Sequence, residues 1–382
     1  MTGERLAIHR LLADAPVTGE KIDAFLKGRE FPVVEGASVT FVFRGDVEGV
    51  NLRHWIYGLE SSQALTRVPE TDLFYGIVEL PPHSRVEYKL ELRKDGNSWW
   101  VEDPLNDKRA HDPFGANSVA HGEGYEVPAW TQTDPEARAG VLEPFRMKSR
   151  VFGGVRGGHL YYPARYRTSR RYPLLVVHDG SDYLRYAAMK TVLDNLIHRL
   201  AIPDMVVCFS DSPDRLKEYA SDEAHARFLK EELVPHLERT LPLDARPQGR
   251  CLMGASFGAV AALSTAWRYP GFFGRLMLQS GSFAFTDIGG GNRRGPLFDP
   301  VVAFVNELRK DLGPMSERVF LSCGVYESLI YENRSLVPLL SESGMEVRFE
   351  EARDGHNWEN WRDRLQDGLS WLFPGPLLMV YE

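Results

Sequence analysis

Residues 250–268 read RCLMGASFGAVAALSTAWR, and Gly254-Ala255-Ser256-Phe257-Gly258 within them is a G-x-S-x-G pattern. An apolar, strand-like run precedes it and a helix-forming run of small residues follows. Strand, sharp turn and helix together are what a nucleophile elbow requires. Glycines flank the serine because the turn brings backbone segments too close for side chains, and the serine hydroxyl is pushed out above the sheet. The pattern also recurs by chance, with a turn serine as the plain alternative; the strand-helix junction decides for a nucleophile. The backbone N–H of Phe257 then points at the oxyanion that forms during attack.

On both sides of this stretch, the runs YPLLVVHDG, DMVVCFSD, GRLMLQSG, RVFLSCGV and MEVRFEEA alternate with helix-length segments such as DEAHARFLKEELVPHLERTL and NWENWRDRLQDGLSWLF. Near-continuous apolar strands separated by helices predict a mostly parallel sheet covered on both faces, the α/β-hydrolase architecture. Upstream, over about 37–127, the runs VTFVFRG, LRHWIYG, LFYGIVEL and VEYKLELR alternate with period two between turn residues. They predict a small antiparallel, immunoglobulin-like β-sandwich. The turn-rich stretch DPLNDKRAHDPFGANSVAHGEG reads as surface loop, followed by a linker through Pro128, Pro135 and Pro144. The expected division is therefore 1–144 for sandwich and linker and 145–382 for the catalytic domain.

Hydrophobic residues make up 43% of the chain and charged residues 26%, ordinary globular values. A formal net charge of -8, with no Lys/Arg block apparent, argues against nucleic-acid binding. Arg5, His9 and Arg10 interrupt any signal-peptide core, and no apolar run approaches the roughly 20 residues of a membrane helix. A soluble, cytoplasmic protein is expected. Cys208, Cys251 and Cys323 each lie in or beside an apolar run and read as core residues in a reducing compartment, not as a disulfide or metal framework.

In this fold class the acid and the base follow the serine in chain order, and His356 is the single histidine after position 256. It stands in the turn Arg353-Asp354-Gly355-His356, with a solvated loop histidine as the bland alternative. Glu327, just past the strand RVFLSCG, is the leading acid, because open α/β sheets place their sites at the carboxyl ends of strands. Asp354, Glu332 as a helix cap, and a working Ser-His dyad stay open. A second oxyanion donor is expected from the loop after PLLVV, at the N–H of Gly180 or Ser181. His178 and Asp179 beside them read as loop-shaping residues, since two ligands rarely hold a metal. No metal and no cofactor are expected.

The elbow segment, the HDG loop, DRLKEYASDEAHARFLKEELVPHLE and DGHNWENWRDRL together resemble the esterase D group that contains the ferric enterobactin (enterochelin) esterases. FPVVEGASVTFVFRG, LTRVPETDLFYGIVELPPHSRVEYKLEL and EDPLND resemble the sandwich that accompanies those siderophore esterases, so the likeness runs over about 31–373. It implies Ser256 as nucleophile, His356 as base and the Glu of Gly324-Val325-Tyr326-Glu327 as acid. It also implies that Arg215 and Glu218 shape the substrate pocket. Ala259 departs from a second glycine frequent in the family, a change small enough to need only minor repacking.

The substrate this implies is the trilactone backbone of a ferric catecholate siderophore, cleaved to release iron. Relatives also hydrolyse feruloyl and acetyl esters, which makes a small-acyl carboxylesterase the alternative. A noncatalytic binding protein on the same scaffold is a third reading, which the intact Ser256 and His356 disfavour. An anionic ligand calls for local positive charge, since exposed charges beyond roughly 8 Å are largely screened. Arg215, Arg293 and Arg294 are candidates, with a solvated loop as the alternative for the last two. Trp358, with Trp99, Trp100 and Trp361, offers rings for stacking, although buried packing is the commoner fate of tryptophan. The order serine, acid, histidine lies entirely after Tyr172, so the sandwich is not expected to be needed for the chemistry itself.

Overall fold

The computed structural model describes residues 6–286 and 295–376. The chain forms two compact units. The first is Met1–Glu126 with Val325–Glu327 and Ala352–Asn357; the second is Val127–Gly324, Ser328–Glu351 and Trp358–Glu382.

The first unit has two antiparallel sheets. One runs in the order β1 (Val33–Glu35), β2 (Ser38–Arg44), β6 (Leu73–Glu79), β5 (Thr66–Arg67). The other runs β4 (Ser62–Ala64), β3 (Gly49–His54), β7 (Arg85–Lys94), β10 (Gly115–His121), β9 (Arg109–Asp112), with β8 (Asn97–Val101) on β7. Alternation turns Val39, Phe41 and Phe43 of β2 inward, into one core with Val86, Tyr88, Leu90 and Leu92 of β7. Each such burial stabilises by about 1.5–3 kcal/mol. The opposite face of the first sheet is also covered. Helices Ala7–Ala13 and Gly19–Leu26 bring Ile8, Leu11, Ile22 and Phe25 into a second core with Val42 and Leu73. Their seven and eight residues give too few turns for an apolar period to stand out, so the sequence did not reveal them.

The second unit is built on an eight-stranded sheet. Its order is β11 (Val141–Ser149), β12 (Gly154–Tyr162), β14 (Val206–Ser210), β13 (Leu174–His178), β15 (Arg250–Ala255), β16 (Arg275–Gln279), β17 (Arg318–Gly324), β18 (Glu346–Ala352). Strands β13 to β17 pair in parallel, while β11, β12 and β14 pair antiparallel at one side. Leu174 and Val176 enter one core and Leu175 and Val177 the other, so both faces are buried, as the unbroken apolar runs require. Cys208, Cys251 and Cys323 are buried in these strands. The boundary expected between 144 and 145 falls inside β11, which pairs with β12 along its whole length. Pro144 is accommodated there because an edge strand does not need every N–H. Among the described residues, no helix is long and apolar enough to cross a membrane.

Candidate active site

Ser256 caps the helix Phe257–Arg268 in a strained conformation, φ 56° and ψ -119°, in a region that side chains normally avoid. A Cβ on Gly254 would come within 2.4 Å of the Gly258 backbone, which is why glycine is needed there. The Ser256 N–H donates to the Gln279 carbonyl at 2.9 Å. Its hydroxyl lies 3.1 Å from the Ser282 hydroxyl. Phe257 is the first residue of a helix whose opening N–H groups have no intrahelical acceptor.

Across the β13–β15 pair, the loop after β13 also turns through a residue at positive φ. Asp179 adopts φ 54° and ψ 42° and caps the helix Gly180–Tyr186. A Cβ on Gly180 would fall 2.5 Å from the Phe209 backbone, so only glycine fits. Of the two expected oxyanion donors, Ser181 is already engaged: its N–H donates to Asp211 Oδ1 at 2.9 Å. Gly180 is the donor that stays available.

Arg215 and Glu218 support this loop from beneath. Arg215 Nε meets both Asp179 carboxylate oxygens at 2.8 Å. Burial pushes the Asp179 carboxyl up and Arg215 opposes that rise. Glu218 is buried and bound by Arg156 at 2.8 and 3.0 Å and by the Ser212 hydroxyl at 2.7 Å. Burial works against its charge, but His225, Arg156 and Ser212 outweigh it and bring the carboxyl down to about 2. A side chain so committed holds the loop in shape, in keeping with the pocket-shaping place expected of it, and makes its bonds to protein partners. His225 continues the network, 3.7 Å from Glu218 and with its Nε2 3.0 Å from His178 Nε2. Because His178 Nδ1 faces the Met253 carbonyl at 2.9 Å, Nδ1 carries the proton and His178 Nε2 accepts from His225. Burial, helped by His225, pushes the His178 imidazole down to about 3, so it is neutral at physiological pH.

Ser256 belongs to the second unit, whereas Glu327 and His356 belong to the first. Those two are brought together: His356 Nδ1 lies 2.6 Å from Glu327 Oε2, with the carboxylate buried and the imidazole exposed. Asp354 is engaged differently. Its Oδ1 accepts from the Gly355 N–H and the Asn357 amide, both at 2.7 Å, and the Arg85 guanidinium faces both its oxygens at 3.3 Å. Burial pushes its carboxyl up, against the pull of Arg85. Glu332 lies inside the helix Ile330–Glu342.

Arg85 is the residue that the sequence did not flag. On β7 it alternates outward with Glu87, Lys89 and Glu91, so periodicity assigns it to solvent. It is instead fully buried, donating to Asp354, Asn357 and Glu87, while its N–H donates to the Arg353 carbonyl at 2.8 Å. Tyr326, next to Glu327, is held likewise by the Tyr57 N–H at 2.8 Å and the Ser84 hydroxyl at 2.5 Å. Within the first unit, strand and loop residues of the sandwich therefore hold both segments that carry Glu327 and His356.

Arg293 and Arg294 lie outside the described residues. Trp358 packs edge-on against Tyr183 at 5.3 Å and Trp361 at 4.8 Å and is half-buried. Trp99 and Trp100 are exposed on β8. Among the described residues, no group of three His, Cys, Asp or Glu side chains is placed to hold a metal ion.

Residues 149–372 match the protein family described as "Putative esterase". The iron(III) enterobactin esterase of Dickeya dadantii (strain 3937) is 26% identical over 372 residues, 86% of this chain and 82% of that relative. The acetyl esterase of Caldicellulosiruptor saccharolyticus is 21% identical over 178 residues, 41% of this chain and 66% of that relative. The crystal structure of the enterobactin esterase from Shigella flexneri in the presence of enterobactin shares the fold, with a TM-score of 0.71 at 21% identity over 88% of this chain and 92% of that one.

Proposed function

Because the chain belongs to the "Putative esterase" family, it is a carboxylic ester hydrolase, and we propose that Ser256, His356 and Glu327 form its nucleophile, base and acid. In this reading Ser256 Oγ attacks the ester carbonyl while His356 Nε2 takes its proton. Glu327, bonded to Nδ1, fixes the tautomer and stabilises the imidazolium. The N–H groups of Phe257 and Gly180 receive the oxyanion. Collapse of the tetrahedral intermediate expels the alcohol, which takes the proton back from His356, and water releases the acyl group by the same steps in a second cycle.

The substrate we propose is the trilactone backbone of a ferric catecholate siderophore, opened in the cytoplasm so that its iron is released. The observation that carries this reading is the extent of the likeness to an iron(III) enterobactin esterase, 86% of this chain, which takes in the sandwich as well as the hydrolase sheet. A small-acyl carboxylesterase is the second reading, supported by the acetyl esterase relative, which matches 41% of the chain. Parallel hydrolysis assays with a ferric trilactone siderophore, a feruloyl ester and an acetyl ester test the choice. Faster kcat/KM on the siderophore is expected; turnover of the small esters with none of the trilactone would move the assignment to the second reading. No turnover of any ester, with Ser256 unreactive towards a fluorophosphonate, would leave a binding protein.

A further inference from the structure

We propose that the second unit carries a binding site for a multiply charged organic anion, an organic phosphate or polycarboxylate, at the edge of its sheet opposite to Ser256. A cavity of about 770 Å³ opens there, lined by Arg138, Arg165, Arg170 and Arg171 against the single carboxylate of Asp204, with an apolar wall that includes Leu200 and Ile202. Its size falls within the range of small-ligand sites. Topology sets its distance from the catalytic serine. Tyr172 and Asp204, both in the lining, precede the N-terminal ends of β13 and β14, whereas Ser256 follows the C-terminal end of the parallel β15. Five residues of strand separate the two edges by roughly 16 Å at the usual rise per residue.

The charge is concentrated against the trend of the whole chain, whose formal net charge is -8. Three of the arginines come from one connection, the basic run ARYRTSRRY at 164–172. Two are engaged: Arg170 pairs with Asp204 at 3.2 Å, and Arg171 donates to the Leu243 carbonyl at 3.3 Å. Arg138 and Arg165 make no hydrogen bond or ion pair among the described residues. Guanidinium groups drawn together around one cavity repel one another, and an anion there relieves that repulsion. Their planar forks match phosphate and carboxylate oxygens in pairs. The apolar wall adds contact for the body of an organic anion, which a bare inorganic ion lacks.

Isothermal titration calorimetry at low salt tests this with ATP and citrate as the two anion types and adenosine as the uncharged control. The Arg138→Ala/Arg165→Ala double variant alters two exposed residues, so it is expected to fold. At least one of the two anions is expected to bind the wild type, to bind Ser256→Ala equally well, and to lose roughly tenfold or more in affinity in the double variant. Hydrolysis of a chromogenic acetate ester by the double variant stays at the wild-type rate. Absence of binding by both anions at millimolar concentration overturns the proposal, as does unchanged affinity in the double variant or adenosine binding as tightly as ATP. A double variant that loses hydrolysis together with binding would mean that the anion occupies the catalytic end.

Discussion

Asp179 and Ser256 sit at the ends of adjacent parallel strands, each opens a helix, and each is a non-glycine residue at positive φ, 54° and 56°. Such backbone costs about 1–3 kcal/mol and persists only where the surroundings over-determine it. For Asp179 the surroundings are side chains: Arg215 on both carboxylate oxygens, the Tyr219 hydroxyl accepting its N–H at 3.3 Å, and His178 locked between the Met253 carbonyl and His225. For Ser256 they are backbone, with the N–H on Gln279 and the carbonyl accepting the Ser282 N–H at 3.3 Å. Among the described residues, its hydroxyl keeps a single long contact at 3.1 Å. The Asp179 turn is fixed through its side chain, and the Ser256 turn, the nucleophile in the proposed function, leaves its side chain free to exchange partners.

The largest effect expected on this comparison is from Ser256→Ala. It should lower kcat by about 10⁶ with little loss of stability, because the strain is held by backbone and the hydroxyl supports almost nothing. A fluorophosphonate should label the wild type once and the variant not at all; persistent labelling would place the nucleophile elsewhere. Next is Glu327→Gln, which keeps the shape but removes the charge beside His356 and should cost about 10⁴ in kcat. Asp354→Asn should lose far less turnover. If the order of the two were reversed, Asp354 would be the acid.

What the sequence reveals follows the same division. Ser256, Phe257 and Gly258 are contiguous and their glycines are forced by local crowding, so a five-residue pattern carries them. His356 and Glu327 follow from chain order and strand ends. The supports of this Asp179 turn are gathered from far along the chain, Arg215 and Tyr219 from 36 and 40 residues beyond Asp179 and His225 from 47 beyond His178, and no local pattern records such pairings. Arg85 is hidden for a different reason. Period two gives the face of a strand but not what covers that face, and here the loop Ala352–Asn357 covers it.

Arg85→Ala should therefore damage activity from a strand of the sandwich. Removing one partner of a buried ion pair typically destabilises by about 3–5 kcal/mol, and a loop displaced by an ångström can lower kcat about 10²-fold. Thermal melting and kcat measured together check this; a variant that melts lower yet turns over normally would confine Arg85 to stability. Arg215→Ala should act more weakly, roughly tenfold in kcat, since its guanidinium is about a third exposed and water can replace part of it. Arg215→Lys should recover only part of that, because an ammonium on a flexible stem is not held over both Asp179 oxygens as the planar guanidinium Nε–H is. Full recovery would show that charge alone, and not the held geometry, supports the turn.

The smallest effect concerns protons, and it separates the two turns because one is supported by a titratable ring and the other by backbone. His178 is buried, and its imidazole is pushed down to about 3 by burial first and His225 second. A base with a depressed folded pKa contributes stability that is fully present above its unfolded value near 6.5 and is lost as pH falls towards the folded value. The loss is at most about 1.4 kcal/mol per pH unit for one group. Asp179 moves in the opposite sense: its carboxyl is raised by burial to about 6, so it favours the folded state as pH falls from there towards its ordinary value near 3.9, inside the same range as His178. A global melt mixes the two signs, so the decisive measurement is site-specific. Ring-nitrogen NMR of His178 between pH 8 and 5 should show one neutral tautomer with the proton on Nδ1 and no titration step. A His178 ring that takes up a proton above pH 5 while the protein stays folded would mean that the imidazole is not sealed beneath the loop, and that the Asp179 turn is held no more firmly than the Ser256 turn.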